Sequence, residues 1–140
     1  GIKIQWDDIM LTKKYTGWNA LGQTKLALVL FTKYLAGQLT GTGVTVNSLH
    51  PAVVETGLGV FKETGIMGLM TQIMKLFLHT SVEQGAQNHI YLASSPEVEK
   101  ITGEFFLDKK VTATSSNANH PEDAQRLWEL SLKLANISKY

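Results

Sequence analysis

GWNALGQTKLALVLF, residues 17–31, sets one lysine in a run otherwise suited to burial. On a helix Leu21, Lys25, Leu28, Val29 and Thr32 recur at spacings of three and four, so they share a face that is apolar apart from Lys25 and Thr32. An ammonium in that company either reaches water along its flexible stem or stays because an anionic or polar group meets it. The helix is predicted to start at Thr16 or Gly17 and to run to about Leu39, where GTGV (41–44) supplies the glycine expected just past a helix end. VTVNSL (44–49) follows as a short β-branched strand stopped by His50 and Pro51. Helix, glycine turn and strand make half of a βαβ unit, which sets the class as α/β.

Upstream, GIKIQWDDIMLTKKY (1–15) has no helix start signal and is predicted as an irregular lead-in. Downstream of Pro51, Gly57, Gly59, Gly65 and Gly68 interrupt an apolar segment, a spacing that suits a mobile flap over Gly57 to Leu78. Within it, residues 67–78 fit a short amphipathic helix with Leu69, Ile73, Leu76 and Phe77 inward. Ser81 with Gln84 three positions on reads as a capped helix start, and that helix is predicted to reach about Ala93, before Pro96. GEFFL (103–107) is a second strand candidate. Residues 111–123 read as a polar loop, from which Pro121 opens an amphipathic helix to about Asn136 with Leu127, Leu130, Leu134 and Ile137 inward.

Two short strands and four helices make an incomplete parallel sheet, because such sheets bury their strands on both faces. The expected architecture is therefore one side of a larger α/β fold. Its remaining sheet would come from an amino-terminal half or from a partner such as a second copy of the chain.

The 140 residues are of single-domain length, and 44% hydrophobic with 18% charged side chains is an ordinary globular balance. With 13 basic and 12 acidic side chains the net charge is +1, which gives no long-range field for nucleic acid. No cysteine is present, which excludes disulfides, thiolate metal sites and a cysteine nucleophile. The longest apolar run, Leu26 to Phe31, is too short to span a bilayer, and a soluble, cytoplasmic protein is expected.

His50, His79, His89 and His120 lack the spacing of metal ligands, so no metal is expected. The sequence contains no Gly-x-Gly-x-x-Gly, and Ser48, Ser81, Ser94 and Ser95 lack a nucleophile-elbow context. Trp18, Phe31 and Tyr34 read as packing residues. What survives is the strand ending at His50, since ligands of open α/β sheets bind beyond the carboxyl ends of strands. Lys25 before that strand and Pro51 to Thr56 after it are the candidate site.

These segments are similar to a known family. ALGQTKLA (20–27), then GTGVTVNSLHPAVVET (41–56), then YLASSPEVEKITGEFF (91–106) resemble, in that order, the carboxyl-terminal half of the short-chain dehydrogenase/reductase family, and most closely its retinol-dehydrogenase-like branch. The resemblance implies the carboxyl-terminal portion of a Rossmann-type doubly wound parallel sheet, with residues 1–140 as a partial domain. It implies NAD(P) as cofactor, with NAD and NADP both open, and a hydrophobic alcohol or carbonyl substrate. Lys25 matches the lysine of the family's Tyr-x-x-x-Lys motif, which holds the nicotinamide ribose and lowers the tyrosine pKa. Pro51 and Ala52 stand at the family's Pro-Gly pair, the backbone near Val53 would meet the nicotinamide amide, and Thr56 would meet that amide or the phosphates.

Two positions depart from the pattern. Leu21 occupies the tyrosine position and has no proton to give, and Ala52 replaces the glycine. Tyr15, ten residues before Lys25, is nearly three helical turns away and does not replace the phenol. The family's glycine-rich loop, Asn-Ala-Gly segment and catalytic serine would all precede Gly1. The expected function is thus an oxidoreductase, inactive or impaired, with weak or absent cofactor binding by this chain alone. The rival is a non-catalytic member serving in binding or assembly, with the helix from Gly17 as its packing surface.

Overall fold

The computed structural model describes residues 1–51 and 81–137. The predicted flap, the predicted helix over residues 67–78, and Ala52, Val53 and Thr56 lie outside them.

Helix α1 is Gly17–Gln38, opened by Thr16, whose hydroxyl accepts the Asn19 N–H at 3.1 Å. The chain leaves it through Gly41 and Gly43, at φ 82° and 80°, a region glycine enters without steric cost. Both ends lie where the sequence puts them. Strand β1 is shorter than expected, Ser48–Leu49 in place of residues 44–49. The reason lies in how the preceding residues bond. The Val46 N–H donates to Thr102 Oγ1 at 3.0 Å, and the Asn47 amide donates to the Ile101 carbonyl at 2.7 Å while accepting the Glu104 N–H at 3.1 Å. Only the Gly103 N–H to Val46 carbonyl bond, at 2.7 Å, is backbone to backbone there, and side chains make the rest, so regular pairing begins only at Ser48.

Helix α2, Val82–Ser94, has the predicted cap: Ser81 Oγ accepts the Gln84 N–H at 3.2 Å and Gln84 Oε1 accepts the Ser81 N–H at 3.1 Å. Strand β2, Phe105–Leu107, pairs parallel with β1, Ser48 opposite Phe105 and Leu49 opposite Phe106. Gly103, at φ 78°, bends the chain into it, which is why the predicted strand starts two residues late. Phe106 is 1% exposed and meets the Tyr91 ring of α2 edge-on. Strand β3, Lys110–Val111, corrects the expectation of a loop from Val111: it pairs antiparallel with β2 across a two-residue turn. Asp108 and Lys109 in that turn have φ 49° and 63°, so neither glycine nor asparagine marked it in the sequence. The described sheet has the order β1-β2-β3.

Helix α3 is Pro121–Leu134, with Pro121 in its first turn as predicted. It packs against α1, and the core holds Ile4, Leu26, Leu30, Ala118, Ala124 and Leu127. Trp128 sets its ring 5.3 Å from both Phe31 and Tyr34 of α1. The inward stripe stops early: Leu130 is half-buried, but Leu134 is 63% and Ile137 46% exposed, contrary to expectation. No described residue covers the last turn of α3, so its apolar side chains there meet solvent.

The lead-in is irregular, with one 3-10 turn at Trp6–Asp8, yet it is well packed. The buried Gln23 accepts the Gln5 N–H at 2.8 Å and donates to the Ile9 carbonyl at 2.8 Å, tying the segment along α1. Gly22 completes the contact, because a Cβ there would come within 2.8 Å of Ile2 Cδ1.

Candidate functional site

The face of α1 that carries Lys25 is divided along its length. In its carboxyl half, Thr32 and Ala36 are buried, and Ala36 Cβ stands 3.4 Å from where a Cβ on Gly103 would lie, at the entrance to β2. In its amino half, Trp18, Leu21 and Leu28 are 75%, 48% and 56% exposed, and Lys25 is exposed among them. Lys25 thus has apolar neighbours on its face, but no described strand lies against them. Of the two fates open to the ammonium, it takes the first, reaching water. Among the described residues none hydrogen-bonds to Lys25 or pairs with it.

Position along the helix then matters. Lys25 precedes Ala36 by roughly 16 Å at 1.5 Å per residue. Ala36 marks the amino ends of the strands, and α1 packs along β1. With helix and strands antiparallel, as in a βαβ unit, Lys25 and Leu21 lie toward the carboxyl ends of the strands, the side where α/β sheets bind ligands. Leu21 is one turn from Lys25 on the same face.

At the carboxyl end of β1 the His50 N–H donates to the Phe106 carbonyl at 2.9 Å, and Pro51 follows, exposed and without an N–H to continue the ladder. The His50 carbonyl accepts the side-chain amide of Asn88 at 3.1 Å. Asn88 Oδ1 in turn accepts the Lys109 N–H in the β2–β3 turn at 2.7 Å. Asn88 is 5% exposed, and reasoning from the sequence passed over it. The signal was a polar side chain at a buried spacing, Gly85 and Asn88 three apart on the inner face of α2.

No tyrosine of α1 lies within one turn of Lys25. Tyr15 is 70% exposed and precedes the helix, and Tyr34 lies against Trp128. Tyr91 donates to Glu97 Oε2 at 2.9 Å, and that bond to a carboxylate raises its pKa above the ordinary phenol value, the wrong direction for an acid-base group near neutrality. A cleft of about 400 Å³ opens between the carboxyl half of α1 and the start of α3, where Lys33 donates to Asn119 at 2.6 Å; it includes neither Leu21 nor Lys25. Among the described residues no three His, Asp or Glu side chains converge to hold a metal ion.

The described residues make helices packed on a small sheet with one parallel and one antiparallel strand pair, a partial Rossmann-like α/β arrangement. The family profile described as enoyl-(acyl carrier protein) reductase matches residues 7–107, and the chain belongs to the short-chain dehydrogenase/reductase family, in its retinol-dehydrogenase-like branch. It is 39% identical over 138 residues to human retinol dehydrogenase 14, covering 97% of this chain and 41% of that protein. To human retinol dehydrogenase 13 it is 41% identical over 140 residues, covering 96% and 42%. To the chloroplastic short-chain dehydrogenase TIC 32 A of Brassica napus it is 35% identical over 133 residues, covering 94% and 41%. A solved structure of an uncharacterised protein from Mycobacterium Paratuberculosis superposes with a TM-score of 0.67 at 25% identity, over 97% of this chain and 46% of that one. The chain thus spans about two fifths of the length of these curated relatives. The family generally uses NAD(P).

Proposed function

We propose that the chain forms the nicotinamide-side part of an NAD(P)-dependent oxidoreductase for hydrophobic alcohols or carbonyl compounds, and that Leu21 has cost it the acid of that reaction. The observation that carries this reading is Lys25: an exposed ammonium with no partner among the described residues, on the amino half of α1, where the motif order matches the family's lysine. That ammonium fits the sugar hydroxyls of a nicotinamide nucleotide, which offer it acceptors the described protein does not. A bound NAD(P) supplies the hydride chemistry. This chain's own residues would do the rest: Lys25 holds the ribose, and Pro51, Val53 and Thr56 meet the nicotinamide end. Leu21 offers only hydrocarbon where a developing alkoxide needs a proton. The names of two relatives refer to retinol, an apolar alcohol, which supports an apolar substrate here.

In this reading residues 1–140 are part of one catalytic domain, and the phosphate-cradling glycine loop, which this sequence lacks, is contributed by other residues. Calorimetry with NADPH and NADH tests it. The chain alone is expected to bind more weakly than about micromolar, which corresponds to roughly 8 kcal/mol, and Lys25→Ala is expected to weaken that binding about tenfold, the order of one charge-assisted hydrogen bond. Micromolar or tighter binding that is indifferent to Lys25→Ala would sink it.

A second reading is favoured by Trp18, Leu21 and Leu28, which are exposed on one face of α1 on either side of Lys25. It makes the chain a non-catalytic binding or assembly member, with a second copy as one partner. It predicts that no substitution at Leu21 creates turnover. Among the described residues no helix is long and apolar enough to cross a membrane. A cytoplasmic location belongs to the same proposal and is tested by cell fractionation.

A further inference from the structure

Where α1 and α3 converge, small residues leave the space between them unfilled. Gly37, Ala118 and Ala124 line the cleft of about 400 Å³ between the carboxyl half of α1 and the start of α3. Ala118 and Ala124 are buried, while a Cβ built on Gly37 would meet nothing within 4 Å, so the cleft is open at that position. Tyr34 adds an aromatic wall, its ring 5.3 Å from that of Trp128.

The charge in the cleft is of one sign. No Asp or Glu lines it, and Lys33 and His120, the lining side chains that carry charge near neutrality, can only be positive. Glu122 and Asp123 follow Pro121 in the first turn of α3 without lining the cleft. Lys33 is half-buried and donates to Asn119 Oδ1 at 2.6 Å. Asn119 is itself held, accepting the Thr114 hydroxyl at 3.2 Å and donating to the Ser115 carbonyl at 3.1 Å. Being neutral, Asn119 orients the ammonium without cancelling its charge. Two of the three N–H donors of Lys33 have no partner among the described residues. A half-buried cation without a counter-charge, set beside an apolar hollow, is complementary to one negative group carried on an apolar body.

We propose that this cleft binds a small monocarboxylate with an apolar body, its carboxylate on Lys33 and its body against Tyr34, Ala118 and Ala124. The cleft includes neither Leu21 nor Lys25, so the inference does not rest on the nicotinamide reading. Inorganic phosphate is a poorer fit because it leaves the apolar walls in water, and a neutral alcohol because it leaves Lys33 without a counter-charge.

The test titrates the full chain with octanoate and with phenylacetate and follows backbone amides by NMR. Octanol serves as the uncharged control and inorganic phosphate as the control without an apolar body. At least one of the two acids is expected to shift the Gly37, Asn119 and Gln125 amides saturably at roughly millimolar concentration. Octanol should bind about tenfold more weakly, the order of one charge-assisted hydrogen bond, and phosphate should leave those amides in place. Lys33→Gln can still donate to Asn119 but carries no charge, and should bring the acid down to the level of octanol. Gly37→Met fills the open space from within α1, where glycine is the poorer helix former, and should abolish the shifts while far-ultraviolet circular dichroism keeps its helical signal. If Gly37→Met does not fold, Lys33→Gln decides alone. The proposal is wrong if neither acid saturates, if acid and octanol bind alike, if phosphate reproduces the shifts, if Lys33→Gln binds the acid as tightly as the wild type, or if a folded Gly37→Met chain does so.

Discussion

Placing a phenol at position 21 is the perturbation that separates an impaired enzyme from a chain that never catalyses. Leu21 is 48% exposed on α1, so a tyrosine there needs no cavity and should change stability by less than about 0.5 kcal/mol. Lys25, one turn on, would lie roughly 5–6 Å away between Cβ atoms, close enough for its charge to favour the phenolate and bring a pKa of about 10 toward neutrality. A positioned general acid is worth about 10² to 10⁴ in rate, or roughly 2.7 to 5.5 kcal/mol of barrier. The assay is NADPH oxidation with a hydrophobic aldehyde or ketone, with an amino-terminal half of the family fold supplied by fusion or by mixing. Leu21→Tyr should raise turnover by that factor, and Lys25→Ala on top of it should remove most of the gain. Leu21→Phe controls for space filling, since it adds the ring without the hydroxyl. Equal gains from Phe and Tyr, or no gain while cofactor is bound, would refute the assigned register of α1 or the hydride-transfer reading itself.

Gln23→Leu keeps the side chain's bulk but strands the Gln5 N–H and the Ile9 carbonyl, and should cost about 1–3 kcal/mol in chemical denaturation. Gly22→Ala sets a helix-propensity gain of about 1 kcal/mol against a clash with Ile2; alone it should loosen residues 1–4 in amide exchange, whereas combined with Ile2→Ala the clash disappears and the propensity gain remains. Phe106→Ala, at a side chain 1% exposed, should cost about 3–5 kcal/mol by the same denaturation assay. Asp8 accepts from the Lys13 and Thr12 N–H groups and the Thr12 hydroxyl, which hold its carboxyl below the ordinary value. Its contribution is therefore complete above the unfolded pKa and lost as pH falls through the folded one. Asp8→Asn should flatten that acid limb when unfolding is followed against pH.

The capped helices were the most legible part of the fold because their signals are local. Thr16 before α1, the Ser81 and Gln84 box before α2 and Pro121 at the start of α3 each act within one turn of themselves, and each lies where the sequence placed it. The strands were less legible because their ends are set by residues far away. Asn47 trades β1's early rungs for side-chain bonds to Ile101 and Glu104, and Asn88 holds the turn at Lys109 from 21 positions upstream. No periodicity within residues 44–49 or 103–111 encodes those bonds. For the candidate site, the motif order points to Lys25 and Pro51 but says nothing of the Asn88 amide that joins the end of β1 to the β2–β3 turn.

The same distinction explains why the sequence left the setting of Lys25 open. Periodicity reports that Leu21, Lys25, Leu28 and Thr32 share a face, and it cannot report where along that face the sheet ends. Thr32 is buried and Ala36 meets Gly103 just before β2, while Trp18, Leu21 and Leu28 stay largely exposed among the described residues. A helix that keeps large apolar side chains on one face, half of it covered, carries surface complementary to something beyond the described residues. In a doubly wound fold that covering would be further strands and the cofactor they hold, and Lys25 would be the polar member of the stripe because its partner is polar. In an assembly protein the covering would be another chain, and Lys25 would be a solvated rim. Lys25→Ala separates the two: nucleotide affinity is lost in the first case, and association is unchanged or tighter in the second.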